Sequence, residues 1–340
     1  MGYTVAVVGV GAVGKTMLEV LAERKFPADE IRVFARTPRP IEAGGTTYNV
    51  RKTEVDDFEG VDIALFASGE EASKDYAFPI AEKWGTVIVD NSATFRMDER
   101  CPLVVPEVNP EALTAEAKVI ANPNCSTIQM LVALHPLRQL ARITRIVVSS
   151  YQAVSGTGRD AIDELAAQNA ALVNGEPVEI KVYPHQIAAN VLPHIGSPCK
   201  DEAMAGFYTE EEKMVRETQR IFDEASIRVC ATCVRVPVYN GHSESVNVEF
   251  DGPVSVADAV AAMNQAPNLI VQDDIASALY PMPIEASGRD ETFVGRIRKD
   301  PSVEHGLAMW VVSDNLRKGA ATNAIQIAET MLERGLIPPK

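Results

Sequence analysis

Residues 5–14, VAVVGVGAVG, constrain the fold of this chain more than any other stretch. Val5–Val8 is a continuous apolar run, the mark of a strand buried on both faces. Gly9, Gly11 and Gly14 follow it in a G-x-G-x-x-G spacing that opens a helix running to about Arg24. A buried strand that turns straight into a helix implies a parallel sheet, because parallel neighbours need a crossover connection. The pattern recurs. Ile31–Ala35 reads as a second strand, DIALFA at 62–67 as a later one, Glu70–Trp84 as a helix, and Thr86–Val89 as a strand. Lys118–Ala121 is another strand, running through NPNCST into a helix expected to reach about Leu140. The fold class is α/β, with an N-terminal Rossmann-type parallel sheet.

From Arg142 the pattern changes. RITRIVVSSYQAVSG, SIRVCATCVRVPVY, SVNVEF and ETFVGRIRKD are longer runs with partial alternation, as in an antiparallel or mixed sheet with one exposed face. Helices are expected at Gly158–Leu172, Glu210–Glu224 and Val256–Gln265. Asn174–Lys200 holds four prolines and little periodicity, so it reads as a long loop. The boundary falls near residue 126, giving domains of 1–126 and 127–314, the second an α+β mixed-sheet domain. The helical run from Asn315 is expected to pack back on the first domain. A chain of 340 residues suits two such domains. Its opening lacks a charged n-region, an h-region and a cleavage site, so no secretory signal is expected. No apolar run is long enough for a membrane span. A net charge of −15 argues against nucleic acid or anionic lipid as a partner. Five thinly spread cysteines make no disulfide framework and point to a reducing, cytoplasmic compartment.

The glycine loop is read as a dinucleotide site. Gly9, Gly11 and Gly14 allow a tight turn and close backbone approach to a pyrophosphate, with Ala12 and Val13 completing the loop over the helix N-terminus. An NAD site places an acid at the end of the second strand to bind the ribose 2′-hydroxyl. This chain has Ala35, Arg36 and Thr37 there, a guanidinium and a hydroxyl suited to a 2′-phosphate. NADP is the expected cofactor, against the alternative that Arg36 is a solvated loop residue. No metal site is expected.

Cys125, in NPNCST, lies just past a strand end at a helix N-terminus, where ligands of open α/β sheets bind. The helix dipole and free N–H groups there favour thiolate. The alternative is a buried structural thiol, but Asn122, Asn124, Ser126 and Thr127 make the setting polar. Cys230 and Cys233 lie on one strand at i and i+3, so they point to opposite faces and are read as structural.

Taken in order, NPNCST, SSYQAVSGTG, EEEKM, RVPVYNGHSE and SDNLRKGAA resemble the aspartate-β-semialdehyde dehydrogenase family over essentially the whole chain. One departure stands out: a single residue separates Gly9 from Gly11, where the family commonly has two. The resemblance implies NADPH-dependent reductive dephosphorylation of L-aspartyl 4-phosphate, within lysine, threonine and methionine biosynthesis. It makes Cys125 the nucleophile that forms a thioacyl-enzyme, His242 the acid/base and Gln152 the residue that orients the acyl group. Arg235 would hold the α-carboxylate, Glu210 the α-amino group, and Arg96 and Lys213 the phosphate. Ser155, Gly156 and Asn315 would lie near the nicotinamide, while Asn91 and Asn124 would line the same cleft. The second domain would also dimerise, giving a homodimer or a dimer of dimers.

The nearest alternative is N-acetyl-γ-glutamyl-phosphate reductase, whose family usually has Gly where this chain has Asn124 and whose acetylated substrate needs no Glu210. A non-catalytic NADP-binding sensor would not need Cys125, Gln152, Arg235 and His242 together. A thiol hydrolase would leave the glycine loop unexplained.

Overall fold

The computed structural model describes residues 2–337. The chain divides into two compact units, one of Met1–Asn124 and Gly319–Lys340 and one of Cys125–Lys318.

The first unit is built on strands β1 (Tyr3–Val8), β2 (Ala28–Ala35), β3 (Arg39–Ala43), β4 (Thr46–Lys52), β5 (Ile63–Phe66), β6 (Val87–Asp90) and β7 (Val119–Ala121), with helices α1 (Ala12–Glu23) and α2 (Glu70–Trp84). They form one sheet in the order β3-β4-β2-β1-β5-β6-β7. β1 pairs parallel with β2 and β5, and β6 and β7 continue in parallel. Val5–Val8 is fully buried, as a central parallel strand covered on both faces requires. Met17, Leu18 and Leu21 of α1 and Ile325, Ile327 and Met331 of the terminal helix Thr322–Glu333 share its core.

The hairpin β3–β4 was not expected. Its strands RPIEA and TTYNVRK are mostly exposed and carry few consecutive apolar residues, so they give no buried-strand signal. The Gly44-Gly45 turn between them is the mark that identifies it. The end of β4 pairs parallel with β2, setting Lys52 beside Ala35.

The second unit holds helices α3 (Cys125–Leu134), α4 (Arg159–Asn174), α5 (Thr209–Ile221) and α6 (Val256–Met263), and strands β8 (Ile143–Gln152), β9 (Arg228–Arg235), β10 (His242–Phe250), β11 (Leu269–Val271), β12 (Thr292–Lys299) and β13 (Gly306–Ser313). The sheet runs β11-β12-β13-β10-β8-β9 and is mixed: β8/β9 and β11/β12 are parallel, the rest antiparallel. On β10, His242, Glu244, Val246, Val248 and Phe250 are buried while Ser245, Asn247 and Glu249 are half-buried, the period-2 alternation of a strand with one core face. Every residue of α3 after Cys125 is buried, which makes it a core helix.

Two helices differ from expectation. α3 stops at Leu134 and continues as a short 3₁₀ segment, His135–Gln139, because Pro136 lacks an N–H and disfavours α geometry at His135. The segment before the terminal helix is a π-helical turn, Arg317–Ala321, rather than α-helix from Asn315. The proline-rich stretch 175–201 forms no helix or regular strand. Leu192 exchanges two backbone hydrogen bonds with Arg235, at 2.9 and 2.8 Å, and so pins the end of β9.

Candidate active site

In the first unit the glycine loop is shaped by contact. Gly9 has φ +99°, and a Cβ there would lie 2.5 Å from the Ala67 carbonyl oxygen. A Cβ on Gly14 would lie 1.9 Å from the Gly9 carbonyl oxygen, so this approach of helix to strand admits only glycine. Gly11 is different: nothing lies within 4 Å of its Cβ position, so its backbone faces open space. α1 starts there with no side-chain cap and no acidic residue in its first turn, which leaves its N-terminus suited to an anion.

A cleft of about 380 Å³ opens beside this loop, and Arg36, Thr37, Arg39 and Lys52 line its far side with no carboxylate among the lining residues. Ser68, also in the lining, has a buried hydroxyl with no hydrogen-bond partner. A phosphate-bearing dinucleotide fits this chemistry: open glycine backbone, a helix N-terminus, an unsatisfied hydroxyl and several cations. Arg39 and Lys52 were missed by sequence reasoning, since only the unforeseen hairpin brings β4 beside β2.

The same unit fixes Arg96. Its guanidinium is buried and donates from Nε to the Asn122 carbonyl (3.0 Å) and from Nη2 to the Asn91 carbonyl (2.9 Å). Asn122 in turn bonds Asn91 Oδ1 (2.9 Å) and accepts from Asn323 of the terminal helix (2.6 Å). Arg96 thus clamps the loop after β6 to the loop after β7, the loop that ends in buried Asn124.

Cys125 is the first residue of α3, is half-buried and is in no disulfide. Cys230 is exposed and Cys233 buried, on opposite faces of β9.

The other groups of the second unit gather where β8 and β9 end and β10 begins. Gln152 and Arg235 are register partners across the parallel pair, and β10 starts alongside with His242. Gln152 Nε2 donates to Glu210 Oε1 (3.2 Å) and to Ser150 Oγ (3.1 Å). Lys213 Nζ donates to the other Glu210 oxygen at 3.1 Å. This i,i+3 pair of α5 is no solvated surface pair, because the Glu210 side chain is only 7% exposed.

Ala153 supplies the hinge of the cluster. Its carbonyl accepts from Arg235 Nη1 (2.6 Å), and its N–H donates to His242 Nδ1 (3.1 Å). A backbone N–H can only donate, so Nδ1 must carry the lone pair and the neutral ring holds its proton on Nε2. Burial, with Arg235 nearby, lowers the His242 pKa to about 3, so the ring is neutral. Arg235 Nε and His242 Nε2 are buried and have no hydrogen-bond partner. Gly156 closes against both: a Cβ there would lie 3.2 Å from Arg235 Nη1 and 3.4 Å from His242 Nε2.

Ser155 and Asn315 hold the turn that presents His242. Asn315 donates from Nδ2 to Ser155 Oγ (2.9 Å) and accepts from the Gly241 N–H at 2.9 Å, while the Ser155 hydroxyl donates to Asn240 (3.0 Å). Asn240 and Gly241 were not singled out in the sequence, although the YNGH turn contained them. Among the described residues no group of three or more His, Cys, Asp or Glu side chains could hold a metal ion. Among them, too, no helix is long and apolar enough to cross a membrane.

Comparison with known proteins gives a consistent result. The semialdehyde dehydrogenase NAD binding domain model matches residues 4–116, and the semialdehyde dehydrogenase dimerisation domain model matches residues 134–318. The aspartate-semialdehyde dehydrogenase of Aquifex aeolicus is 50% identical, over 99% of this chain and 100% of that protein. That of Bacillus subtilis is 44% identical over 99% of both. Among solved structures, aspartate semialdehyde dehydrogenase II from Vibrio cholerae superposes with a TM-score of 0.92 at 47% identity, covering 98% of this chain and 99% of that one.

Proposed function

The chain belongs to the aspartate-semialdehyde dehydrogenase family, and from that premise we propose that it catalyses the NADPH-dependent reductive dephosphorylation of L-aspartyl 4-phosphate to L-aspartate 4-semialdehyde, and the reverse. The observation that carries this reading is the pair of unsatisfied groups held by Ala153. A buried Arg235 Nε–H and a buried His242 Nε2 both lack partners. A substrate with a carboxylate at one end and a carbonyl oxygen at the other would satisfy them.

The roles follow from the chemistry of each group. Cys125 attacks the acyl phosphate as thiolate, favoured by the N-terminus of α3, and phosphate leaves with the electrons of the broken C–O bond. The product is a thioester on Cys125. When bound, NADPH supplies the hydride that reduces it. His242 keeps its proton on Nε2 and hydrogen-bonds it to the acyl oxygen as that oxygen becomes negative, and this bond weakens as the carbonyl re-forms and expels the Cys125 thiolate.

Arg235 binds the α-carboxylate, its Nη1 already fixed by Ala153. Glu210 accepts the α-ammonium, and its bond to Gln152 would aim that amide at the acyl group. Lys213 and Arg96 hold the phosphate, Lys213 as an ammonium anchored on Glu210 and Arg96 as a guanidinium fixed by two carbonyls. Asn124 orients the acyl oxygen. Gly9, Gly11, Ala12, Val13 and Gly14 would cradle the cofactor pyrophosphate and Arg36 and Thr37 its 2′-phosphate, joined by Arg39 and Lys52. Ser155, Gly156 and Asn315 would serve the nicotinamide end.

The dimerisation-domain match supports a homodimer, and sedimentation mass separates it from a dimer of dimers. A cytoplasmic location accords with five free cysteines.

The test is phosphate-dependent reduction of NADP⁺ by purified protein with aspartate semialdehyde. Turnover of the N-acetylglutamate analogue instead would overturn the substrate assignment. Cys125→Ala abolishes turnover and leaves NADPH binding intact, and near-normal activity in that variant would remove the thioacyl mechanism.

A further inference from the structure

Glu244 is a carboxyl that the mechanism above does not use. It is fully buried on β10, two residues after His242, and so on the same face of the strand. Its register neighbours are Ser150 on β8 and Val311 on β13. Neither of its oxygens has a hydrogen-bond partner, and among the described residues it forms no ion pair. Facing it from α3 is the side-chain amide of Gln129. Gln129 is itself buried, its Oε1 has no partner, and its Nε2 donates to the His242 carbonyl at 3.4 Å. It stands at i+4 from Cys125, on the same side of α3 one turn further on. Burial, with the carboxylates of Glu210 and Glu211 on α5, pushes up the pKa of the Cys233 thiol on this same sheet face, and Arg235 ends β9 two residues further on.

Three orphaned oxygens therefore lie on two adjacent buried side chains. A carboxylate opposite this amide could only accept, and it would sit in the core as an uncompensated charge. A carboxylic acid can both donate to the amide oxygen and accept from the amide nitrogen, leaving the second amide hydrogen for the His242 carbonyl. Burial raises the Glu244 pKa well above the ordinary carboxyl value, outweighing the lowering effect of the Gln129 amide beside it.

We propose that Glu244 and Gln129 form a buried acid–amide pair that fixes the helix carrying Cys125 against the strand carrying His242. Glu244 is then a positioning residue for the reaction proposed above, acting through Gln129 on the nucleophile and through the strand on the acid/base. The inference rests on that reading for its kinetic consequence but not for the pair itself.

The experiment uses the full-length enzyme with NADP⁺, phosphate and aspartate semialdehyde, comparing Glu244→Gln, Glu244→Leu, Gln129→Leu and the double leucine variant. Glu244→Gln replaces the acid with an amide that can still donate and accept, so its kcat stays within about threefold of wild type. Glu244→Leu keeps the bulk and loses the pairing, and its kcat falls about tenfold to a hundredfold with the substrate KM little changed, the cost of misplacing reacting groups. The double variant is no slower than the slower single one, because either loss already breaks the pair. Infrared difference spectra of wild type against Glu244→Gln show the loss of one protonated-carboxyl band.

Independent, multiplying effects of the two leucine substitutions overturn the proposal. So does normal kcat in Glu244→Leu, or the absence of a protonated-carboxyl band. If the leucine variants fail to fold, the band and the Glu244→Gln kinetics still decide. If wild type fails to turn over aspartate semialdehyde, the substrate reading falls. The band and the coupled stabilities of the variants then judge the pair alone.

Discussion

His242 shows how a single hydrogen bond limits what a residue can do. The Ala153 N–H fixes its tautomer, and burial lowers its pKa to about 3. In the unfolded chain the ring titrates at about 6.5. Between these values the unfolded state binds a proton that the native state does not, so stability from this group is complete above about pH 6.5. It is lost as pH falls toward 3, at up to about 1.4 kcal/mol per pH unit. Glu244 works in the opposite sense, because its raised pKa makes the native state the better proton binder above the ordinary carboxyl range. The informative quantity is therefore the difference between wild type and His242→Gln in urea melts from pH 4 to 7. The wild-type curve should lose stability faster on acidification, and parallel curves would contradict a buried neutral ring. Arg235 gives a second test. Its Nη1 is tied to Ala153 while Nε has no partner, and lysine cannot reproduce that fork. Arg235→Lys should weaken aspartate semialdehyde binding by about 2–5 kcal/mol, read as a higher KM with NADP⁺ binding unaltered.

At the scale of elements, the β1–α1 junction separates two kinds of glycine. At Gly14 a methyl group would meet the Gly9 carbonyl oxygen, so Gly14→Ala should cost about 1–3 kcal/mol of stability as well as cofactor affinity. At Gly11 the backbone is extended, with φ −71° and ψ −164°, and the space around it is open. Gly11→Ala should therefore melt within about 0.5 kcal/mol of wild type. Its KM for NADP⁺ should rise about tenfold, equivalent to about 1.4 kcal/mol, as the methyl enters the space left for pyrophosphate. Equal loss of stability in both variants would count against the cleft as the dinucleotide site. The same junction shows what the sequence made legible. A buried strand followed by a glycine turn and a helix is local information, and β1, α1, α2 and the cysteine at the start of α3 were all readable from it. The β3–β4 hairpin was not, because its exposed strands owe their place to pairing with β2 rather than to a periodic pattern of their own. Lys52 entered the cleft by that pairing, invisible to any window read along the chain.

At the scale of the molecule, the proposed substrate-handling groups Gln152, Glu210, Arg235 and His242 come from β8, α5, β9 and β10, up to about ninety residues apart in sequence. Gln152, Glu210, Arg235 and His242 carry no local mark that joins them. Family resemblance named them; strand register brings Gln152, Arg235 and His242 together, and the hydrogen bond from Gln152 adds Glu210. The sheet that gathers them has a second face. While Ser150 and Gln152 turn into the core, Tyr151 points the other way, 36% exposed, with its ring 5.5 Å from that of half-buried Trp310 on β13. On β10 between them, Ser243 lies opposite Tyr151 and half-buried Ser245 opposite Trp310. A sheet face that carries a tilted aromatic pair is suited to a subunit interface, and it lies within the dimerisation-domain match. Tyr151→Asp places a charge on that face without touching Gln152's core contacts. Sedimentation velocity at micromolar concentration should then show the mass moving from dimer toward monomer, with the far-ultraviolet spectrum unchanged. If the variant remains fully dimeric, the subunits meet through another surface. If it dissociates and loses activity together, the register of Gln152 and Arg235 at the end of the same strands depends on the partner, and the dimer is part of the catalytic machinery.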